Sequence, residues 1–183
     1  SGRSKDGIDK TNPAIIKMLY LSFKESGISF SELIKQCHIV PVAISYQYDP
    51  NDINKGREEV SKKLHGTYTK TQYEDLVNMP RGLRRFKGQV HLHFGKPITG
   101  DYDNAVDVAH EIDRQIHLGY KLWDTNFFAY DMLLGPTRFT DEYASLNTKK
   151  FIGRYSGLSD ELRHTILRSY ANPVVTQLEA LHW

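Results

Sequence analysis

The chain has 183 residues, which is enough to bury a hydrophobic core, and a single domain is the default at this length. Its 24 basic and 22 acidic residues give a formal net charge of +2, so we expect no nucleic-acid partner. The single cysteine, Cys37, cannot form an internal disulfide and is compatible with a reducing compartment. No apolar run approaches the ~20 residues that a membrane-spanning helix needs.

A short basic loop opens the chain. It combines a guanidinium, a hydroxyl, an ammonium and a glycine that lets backbone N–H groups approach an anion. This composition is compatible with phosphate binding, but most short basic loops of this kind are simply solvated turns. The loop consists of Gly2, Arg3, Ser4 and Lys5.

The next segments predict a helix and a strand. Asn12 and Pro13 are typical of a helix start, with Asn12 as the N-cap and Pro13 in the first turn. Residues 37–48 are rich in Val, Ile and Tyr and predict a buried strand. Pro41 cannot donate to a sheet ladder, so it indicates a sheet edge or a bulge.

The segment that follows is polar and predicts mostly irregular structure over residues 54–87. One helix is indicated there, because residues 71–74 have the pattern of a capping box. Residues 89–94 then alternate between polar and apolar side chains, which predicts a strand.

Helical patterns dominate after residue 100. Asp103 is placed to cap a helix that ends near residue 119, and an aromatic-rich segment, residues 122–134, follows. Residues 141–152 form a weaker helical pattern, Ser159 predicts the start of another helix, and Asn172 that of a last one. These patterns predict an α/β part up to about residue 100 and a helical extension beyond it.

Three segments together resemble the glycerophospholipid acyltransferase family. The first resembles the family's glycine- and arginine-containing third block, the second its proline-containing strand, and the third a strand followed by Gly-Lys-Pro-Ile. They are residues 1–7, 40–44 and 90–98, and they occur in the family's order. The resemblance implies that residues 1–100 are the C-terminal part of the acyltransferase α/β domain, with residues 101–183 as a helical extension packed on it.

The resemblance also implies an activity in phospholipid synthesis. The family transfers a fatty acyl group from acyl-CoA or acyl carrier protein to a hydroxyl of a lysophospholipid-type or glycerol-phosphate-type acceptor, and it needs no cofactor. Arg3 would bind the acceptor phosphate, with Gly2, Ser4 and Lys5 completing the loop. Ser1 stands where the family has an acid, so that carboxylate is missing.

The family's catalytic His-x-x-x-x-Asp motif is also missing. None of the eight histidines is followed by Asp at the fifth position. We therefore expect this chain to be a C-terminal fragment that has no catalytic residue of its own and is inactive alone. The alternative is a non-catalytic module that binds anionic lipid or protein on an acyltransferase-like frame.

A basic patch lies in the middle of the chain, interleaved with Leu83 and Phe86. It predicts contact with anionic lipid headgroups, and hence a cytoplasmic protein peripheral to the membrane. Binding of donor phosphates and a plain solvated surface are the alternatives. The patch consists of Arg81, Arg84, Arg85 and Lys87.

Two histidine-containing groups favour structural roles over chemistry. His91 and His93 share one face of the predicted strand, but nearby ligands that would complete a metal site are missing. His110, Glu111 and Asp113 lie in one helical stretch and have the composition of a solvated helix surface.

An aromatic stripe has helical spacing in the segment after residue 120. It favours core packing, and an acyl-chain groove or a membrane interface is the alternative. The stripe consists of Trp123, Phe127, Tyr130 and Leu134.

Overall fold

The computed structural model describes residues 6–135 and 137–182, with the side chains of Asp75 and Arg81 left out. The helices of this part are α1 (Pro13–Leu21), α2 (Phe30–Cys37), α3 (Asp52–His65), α4 (Glu74–Arg84), α5 (Ala105–Leu118), α6 (Asp124–Leu134), α7 (Thr148–Gly153) and α8 (Asp160–Ala180). The strands are β1 (Val42–Tyr46) and β2 (Val90–Phe94).

The protein is mostly helical. Helix accounts for 55% of the structure and strand for 6%, in one two-stranded antiparallel sheet. The predicted α/β fold is therefore wrong. The main reasons are that Cys37 ends a helix rather than opening a strand, and that the polar segment starting at Asp52 is a helix of 14 residues.

The described residues form two compact units, made of alternating stretches of chain. The first unit contains residues 6–8, Ser45–His91 and Lys121–Thr176, and the second contains Asp9–Ile44, Leu92–Tyr120 and 177–182. A division of the chain at residue 100 stays a prediction.

Each unit has its own hydrophobic core. In the first unit, aromatic and aliphatic side chains of α6, α7 and α8 pack together, and Phe151 contacts the rings of Tyr155 and Tyr170 at centroid distances of 5.7 and 5.3 Å. In the second unit, α1, α2 and α5 contribute a smaller aliphatic cluster. Its buried members are Ile16, Ile34, Ile98, Ala105, Val108 and Ala109.

Local capping explains where two helices of the second unit begin. The Asn12 side chain accepts a hydrogen bond from the Ala14 amide at 2.9 Å, and Pro13 occupies the first turn, as predicted. For α5 the cap is Asn104 rather than Asp103, because its Oδ1 accepts from the amides of Val106 and Asp107. The predicted end near residue 119 is confirmed, since α5 ends at Leu118.

The longest helix, α8, begins directly after Ser159, as predicted. It then continues through Pro173, so the prediction of a new helix at Asn172 is wrong. The Asn172 side chain does not cap a helix; its amide nitrogen donates to the backbone oxygen of Asp6 at 3.0 Å. A proline inside a helix removes one backbone hydrogen bond, and the buried neighbours Ala171 and Val174 hold the helix together around it.

The sheet register follows from one hydrogen bond in each unit. In the first unit the Gln47 amide donates to the Gln89 carbonyl at 2.9 Å, and in the second the Gly95 amide donates to the Pro41 carbonyl at 2.8 Å. β2 confirms the strand predicted over residues 89–94, whereas the predicted strand over residues 37–48 is shortened to β1.

Candidate functional site

A groove lies between α3 and α8 in the first unit. It encloses a cavity of about 200 Å³ and is bordered by Asp6 and Ile8, which follow the basic loop in the chain. The two helices approach closely at Gly56, where a Cβ atom would lie 2.8 Å from Ile166 Cγ1 and 3.0 Å from Leu162 Cδ1. Because glycine leaves room there, the helices can pack against each other and keep the groove narrow. We call this feature the α3/α8 groove.

Four basic side chains line the α3/α8 groove. Lys55 and Lys63 lie two turns apart on α3, and His164 and Arg168 lie one turn apart on α8. The lysines also have acidic partners. The Lys55 ammonium lies 2.6 Å from Asp49, and the Lys63 ammonium lies 3.4 Å from Glu161.

Arg168 is the most available cation of the groove. It is exposed, and within the described part of the chain its guanidinium has no ion-pair or hydrogen-bond partner. The groove also contains the carboxylates of Asp6 and Glu59, so it is basic but not purely cationic. An arginine fork beside ammonium groups suits a phosphate or carboxylate ligand.

The segment that borders the groove is tethered to α8. The Asn172 side chain donates to the Asp6 carbonyl at 3.0 Å, and the Thr176 hydroxyl donates to the Gly7 carbonyl at 3.2 Å. Gly7 has φ of +91°, and Pro173 Cδ lies 3.0 Å from the position of an added Cβ. A side chain at Gly7 would therefore be strained and crowded, so glycine is needed for the chain to lie against α8.

The predicted anion loop lies outside the described residues, and this applies to all of Gly2, Arg3, Ser4 and Lys5. Their predicted phosphate-binding role stays a prediction. The structure describes only the residues that follow them, which it places at the α3/α8 groove.

The predicted basic patch lies at the end of α4, and two of its cations make contacts within the chain. Arg85 donates to the Pro50 carbonyl at 3.1 Å, and the Lys87 ammonium donates to the Leu83 carbonyl at 2.8 Å. Arg84 is exposed, and the side chain of Arg81 is outside the described part. Lys87 thus caps the helix C-terminus, where a cation is favourable.

The second unit has a mixed-charge pocket along α5, of about 480 Å³, which includes His110, Glu111 and Asp113. Arg114 donates two hydrogen bonds to the Glu111 carboxylate, at 2.8 and 2.9 Å, and so lowers the pKa of that carboxyl. Asp113 is buried and accepts from the amide and hydroxyl of Thr11 at 2.9 and 2.7 Å. These contacts give both acids structural partners, although Asp113 is not on a solvated surface as predicted.

The remaining predicted groups differ in their environments. Among the described residues, no cluster of three or more His, Cys, Asp or Glu side chains is arranged to hold a metal ion. Of the aromatic stripe, Phe127 and Tyr130 contact the Phe139 ring at centroid distances of 5.0 and 5.4 Å, while Leu134 is exposed. Packing within the first unit thus accounts for the two central aromatic residues.

A buried charge network lies at the start of α3, the helix that forms one wall of the groove. Asp52, the first residue of α3, is 3% exposed, and its Oδ2 accepts hydrogen bonds from Tyr155 (2.8 Å), Arg154 (3.0 Å) and Tyr170 (3.1 Å). Burial, followed by the charge of Asp52, raises the pKa of the Tyr155 hydroxyl, which therefore stays protonated as a donor. The network connects the start of α3 to the residues that follow α7 and to α8, and it is structural.

Sequence reasoning missed the groove because it assigned residues 54–87 mostly to irregular structure. One signal was present: Lys55, Glu59 and Lys63 recur at intervals of four, the spacing of one helix face. No sequence pattern indicated that α8 would lie opposite this face.

Comparison with protein-family models, with characterised proteins and with solved structures finds no match to this chain. Among the described residues, no helix is both long enough and apolar enough to cross a membrane.

Proposed function

We propose that this chain is the acceptor-binding part of an acyltransferase that acts on phosphate-bearing lipids or lipid precursors. The enzyme would move a fatty acyl group from acyl-CoA or acyl carrier protein to a hydroxyl of a glycerol-phosphate-type acceptor, and it would work peripherally at a membrane. The observation that carries the proposal is the basic α3/α8 groove at Asp6 and Ile8, directly after the Gly2–Lys5 loop.

Two further observations support the proposal. Residues 40–44 and 90–98, which resemble two blocks of the acyltransferase family, are hydrogen-bonded in the second unit, where the Gly95 amide donates to the Pro41 carbonyl at 2.8 Å. The segment at Asp6 and Gly7 is held against α8 by Asn172 and Thr176. Groups that are held in place can orient an acceptor, and orientation contributes several kcal/mol to catalysis.

The proposed reaction is acyl transfer between a thioester and an alcohol. The acceptor oxygen attacks the thioester carbonyl, a C–O bond forms, the C–S bond breaks, and the hydroxyl proton is taken up by a base and ends on the departing thiol. No histidine of this chain is followed by Asp at the fifth position, so the base would belong to a His-x-x-x-x-Asp motif elsewhere in the complete enzyme.

Calorimetric titration of the purified chain with glycerol 3-phosphate tests the groove, with glycerol as the ligand that lacks the phosphate. We expect binding of glycerol 3-phosphate only. Arg168→Gln should weaken it about three- to tenfold, since the hydrogen bond to a charged ligand is partly screened at an exposed site. Arg3→Ala should weaken it at least as much if the loop contributes.

Arg163→Gln is the matched control, because Arg163 lies on the same helix but pairs with Asp160 outside the groove. It should leave the affinity unchanged. Equal losses of affinity for glycerol 3-phosphate in Arg163→Gln and Arg168→Gln would contradict the acceptor site. The same conclusion would follow if the wild-type chain did not bind glycerol 3-phosphate.

The second candidate function is a non-catalytic module that binds anionic lipid or protein. One observation favours it: the apolar side chains Leu83 and Phe86 are exposed next to the basic patch. The complete protein separates the two functions, because only an acyltransferase releases thiol from acyl-CoA in an amount that depends on added lysophosphatidate.

A further inference from the structure

The helix α4 has its polar side turned toward its own unit. Three residues at intervals of four form this side: Glu74, Asn78 and Gly82. The Glu74 carboxylate accepts from the Tyr68 hydroxyl at 2.7 Å, which raises the pKa of Tyr68 to about 12. The Asn78 side chain accepts from Asn54 of α3 at 2.9 Å.

The close approach at Gly82 confirms the orientation of α4, because a Cβ atom there would lie 2.8 Å from the Asn51 side-chain nitrogen. The helix therefore contacts α3 and the turn before it through polar groups and a glycine. A surface helix normally buries its apolar stripe instead.

The apolar residues of α4 point away from these contacts. Leu76, Met79 and Leu83 recur at intervals of three and four and are 67%, 67% and 76% exposed. Phe86 follows the helix and is 73% exposed, and its ring centroid lies 5.3 Å from that of Tyr48. We call these four residues the apolar ridge. A contiguous exposed apolar surface of this kind marks an interaction site.

The charge next to the apolar ridge indicates what covers it. Residues 81–87 contain four cations and no acid. Arg84 is exposed, and Arg85 uses one N–H on the Pro50 carbonyl and has others to donate. An apolar helix face bordered by cations is typical of helices that lie in an anionic lipid interface. A second copy of the chain would bring two sets of cations together, which disfavours self-association.

We propose that α4 is the membrane-binding element of this protein and that the apolar ridge inserts among the acyl chains of an anionic lipid surface. The inference deepens the peripheral attachment proposed above and rests on it, but it does not depend on acyl transfer. It also changes the role of the basic patch: the cations attract the surface and the ridge provides the insertion.

Vesicle co-sedimentation of the purified chain tests the proposal, with vesicles of phosphatidylcholine alone and of phosphatidylcholine with phosphatidylglycerol. The wild-type chain should bind the second type preferentially. Leu83→Glu should lower the partition coefficient at least about tenfold, because withdrawal of one leucine from an apolar phase corresponds to about ten- to hundredfold in an equilibrium constant.

Leu64→Glu is the matched control, since Leu64 is also exposed (60%) but lies on α3, outside the ridge. It should bind like the wild type apart from a small effect of the added charge. Arg84→Gln should lower binding about fivefold, the loss expected for one cation at the surface. Arg138→Gln should not lower binding, because Arg138 is an exposed cation outside α4 that lies over the Phe139 ring.

Insertion itself is measured by tryptophan fluorescence with brominated lipids. Leu83→Trp should show a blue-shifted emission and quenching that Leu64→Trp does not show. Circular dichroism of each variant checks that the helix content is unchanged, as expected at exposed positions.

Three results would overturn the proposal: no binding of the wild-type chain to anionic vesicles, equal binding of Leu83→Glu and Leu64→Glu, or self-association that Leu83→Glu abolishes without any vesicle binding. The last result would make the ridge a protein interface. None of these results bears on glycerol 3-phosphate binding at the α3/α8 groove, so the two proposals fail separately.

Discussion

Replacing Asp52 by Asn tests the buried charge network of the first unit. The substitution keeps the shape of the side chain but removes its charge. In the wild-type protein Oδ2 accepts from Arg154, Tyr155 and Tyr170, and Oδ1 accepts from the Ile53 amide. In Asp52→Asn an amide N–H₂ replaces one of these oxygens and faces groups that also donate.

The magnitude follows from the burial of the two charges. Breaking a buried ion pair by removing one partner costs about 3–5 kcal/mol, because the other charge is left uncompensated. Asp52 is 3% exposed, but the Arg154 side chain is 30% exposed and can regain some water. We therefore expect the lower end, a loss of about 3 kcal/mol in the free energy of unfolding. This is a large part of the 5–15 kcal/mol that is typical of a domain.

Urea denaturation followed by circular dichroism measures the loss, and a double-mutant cycle with Arg154→Gln assigns it. Residues in one network are non-additive by about 0.5–3 kcal/mol, so the double variant should be more stable than the sum of the single losses predicts. Asp160→Asn is the control, because Asp160 pairs with Arg163 on the surface and should change stability little. A change below about 0.5 kcal/mol in Asp52→Asn, or strict additivity with Arg154→Gln, would contradict a stabilising role of the network.

Close packing at Gly56 and the burial of His117 should both affect the free energy of unfolding. Gly56→Ala should lower the free energy of unfolding by about 1–3 kcal/mol, because its Cβ would contact Ile166 at 2.8 Å. Gly153→Ala, which has no neighbour within 4 Å, should be neutral or slightly stabilising, and a similar loss in both variants would argue against close packing of α3 on α8. Burial lowers the pKa of His117 below its ordinary 6.5, so the unfolded chain binds a proton more readily than the folded one. The stability that neutral His117 contributes to the free energy of unfolding should therefore be fully present above pH 6.5. It should be lost as the pH falls through the lowered pKa of the folded state. His117→Gln should reduce this dependence in urea denaturation at several pH values, and an NMR titration that places the midpoint at or above 6.5 would contradict it.

Several elements could be predicted from the sequence because short-range interactions determine them. The Asn12 cap needs only the amide of Ala14, two residues away. The alternation of β2 and the apolar spacing of α5 are periodic patterns within single segments. The start of α8 after Ser159 also depends on a local cap, since the Ser159 hydroxyl accepts from the Leu162 amide.

Other elements could not be predicted because contacts distant in the sequence decide them. The polar segment of α3 has little apolar periodicity, and it is held as a helix by Asp52, whose partners lie about one hundred residues later. Asn172 and Pro173 form a local helix-start signal. That signal is overridden because the Asn172 side chain is engaged by Asp6 and the helix is buried on both sides of the proline.

The candidate sites also depend partly on local sequence and partly on contacts that are distant in the sequence. The sequence is sufficient to identify the chemical groups of this chain: an arginine- and lysine-containing loop, a cluster of four cations over residues 81–87, and no His-x-x-x-x-Asp motif. The groove between α3 and α8 and the outward orientation of Leu83 on α4 depend instead on how the helices pack. The physical reason is that local patterns specify which side of a helix is apolar or charged, whereas packing at small residues such as Gly56 and Gly82 decides what that side faces.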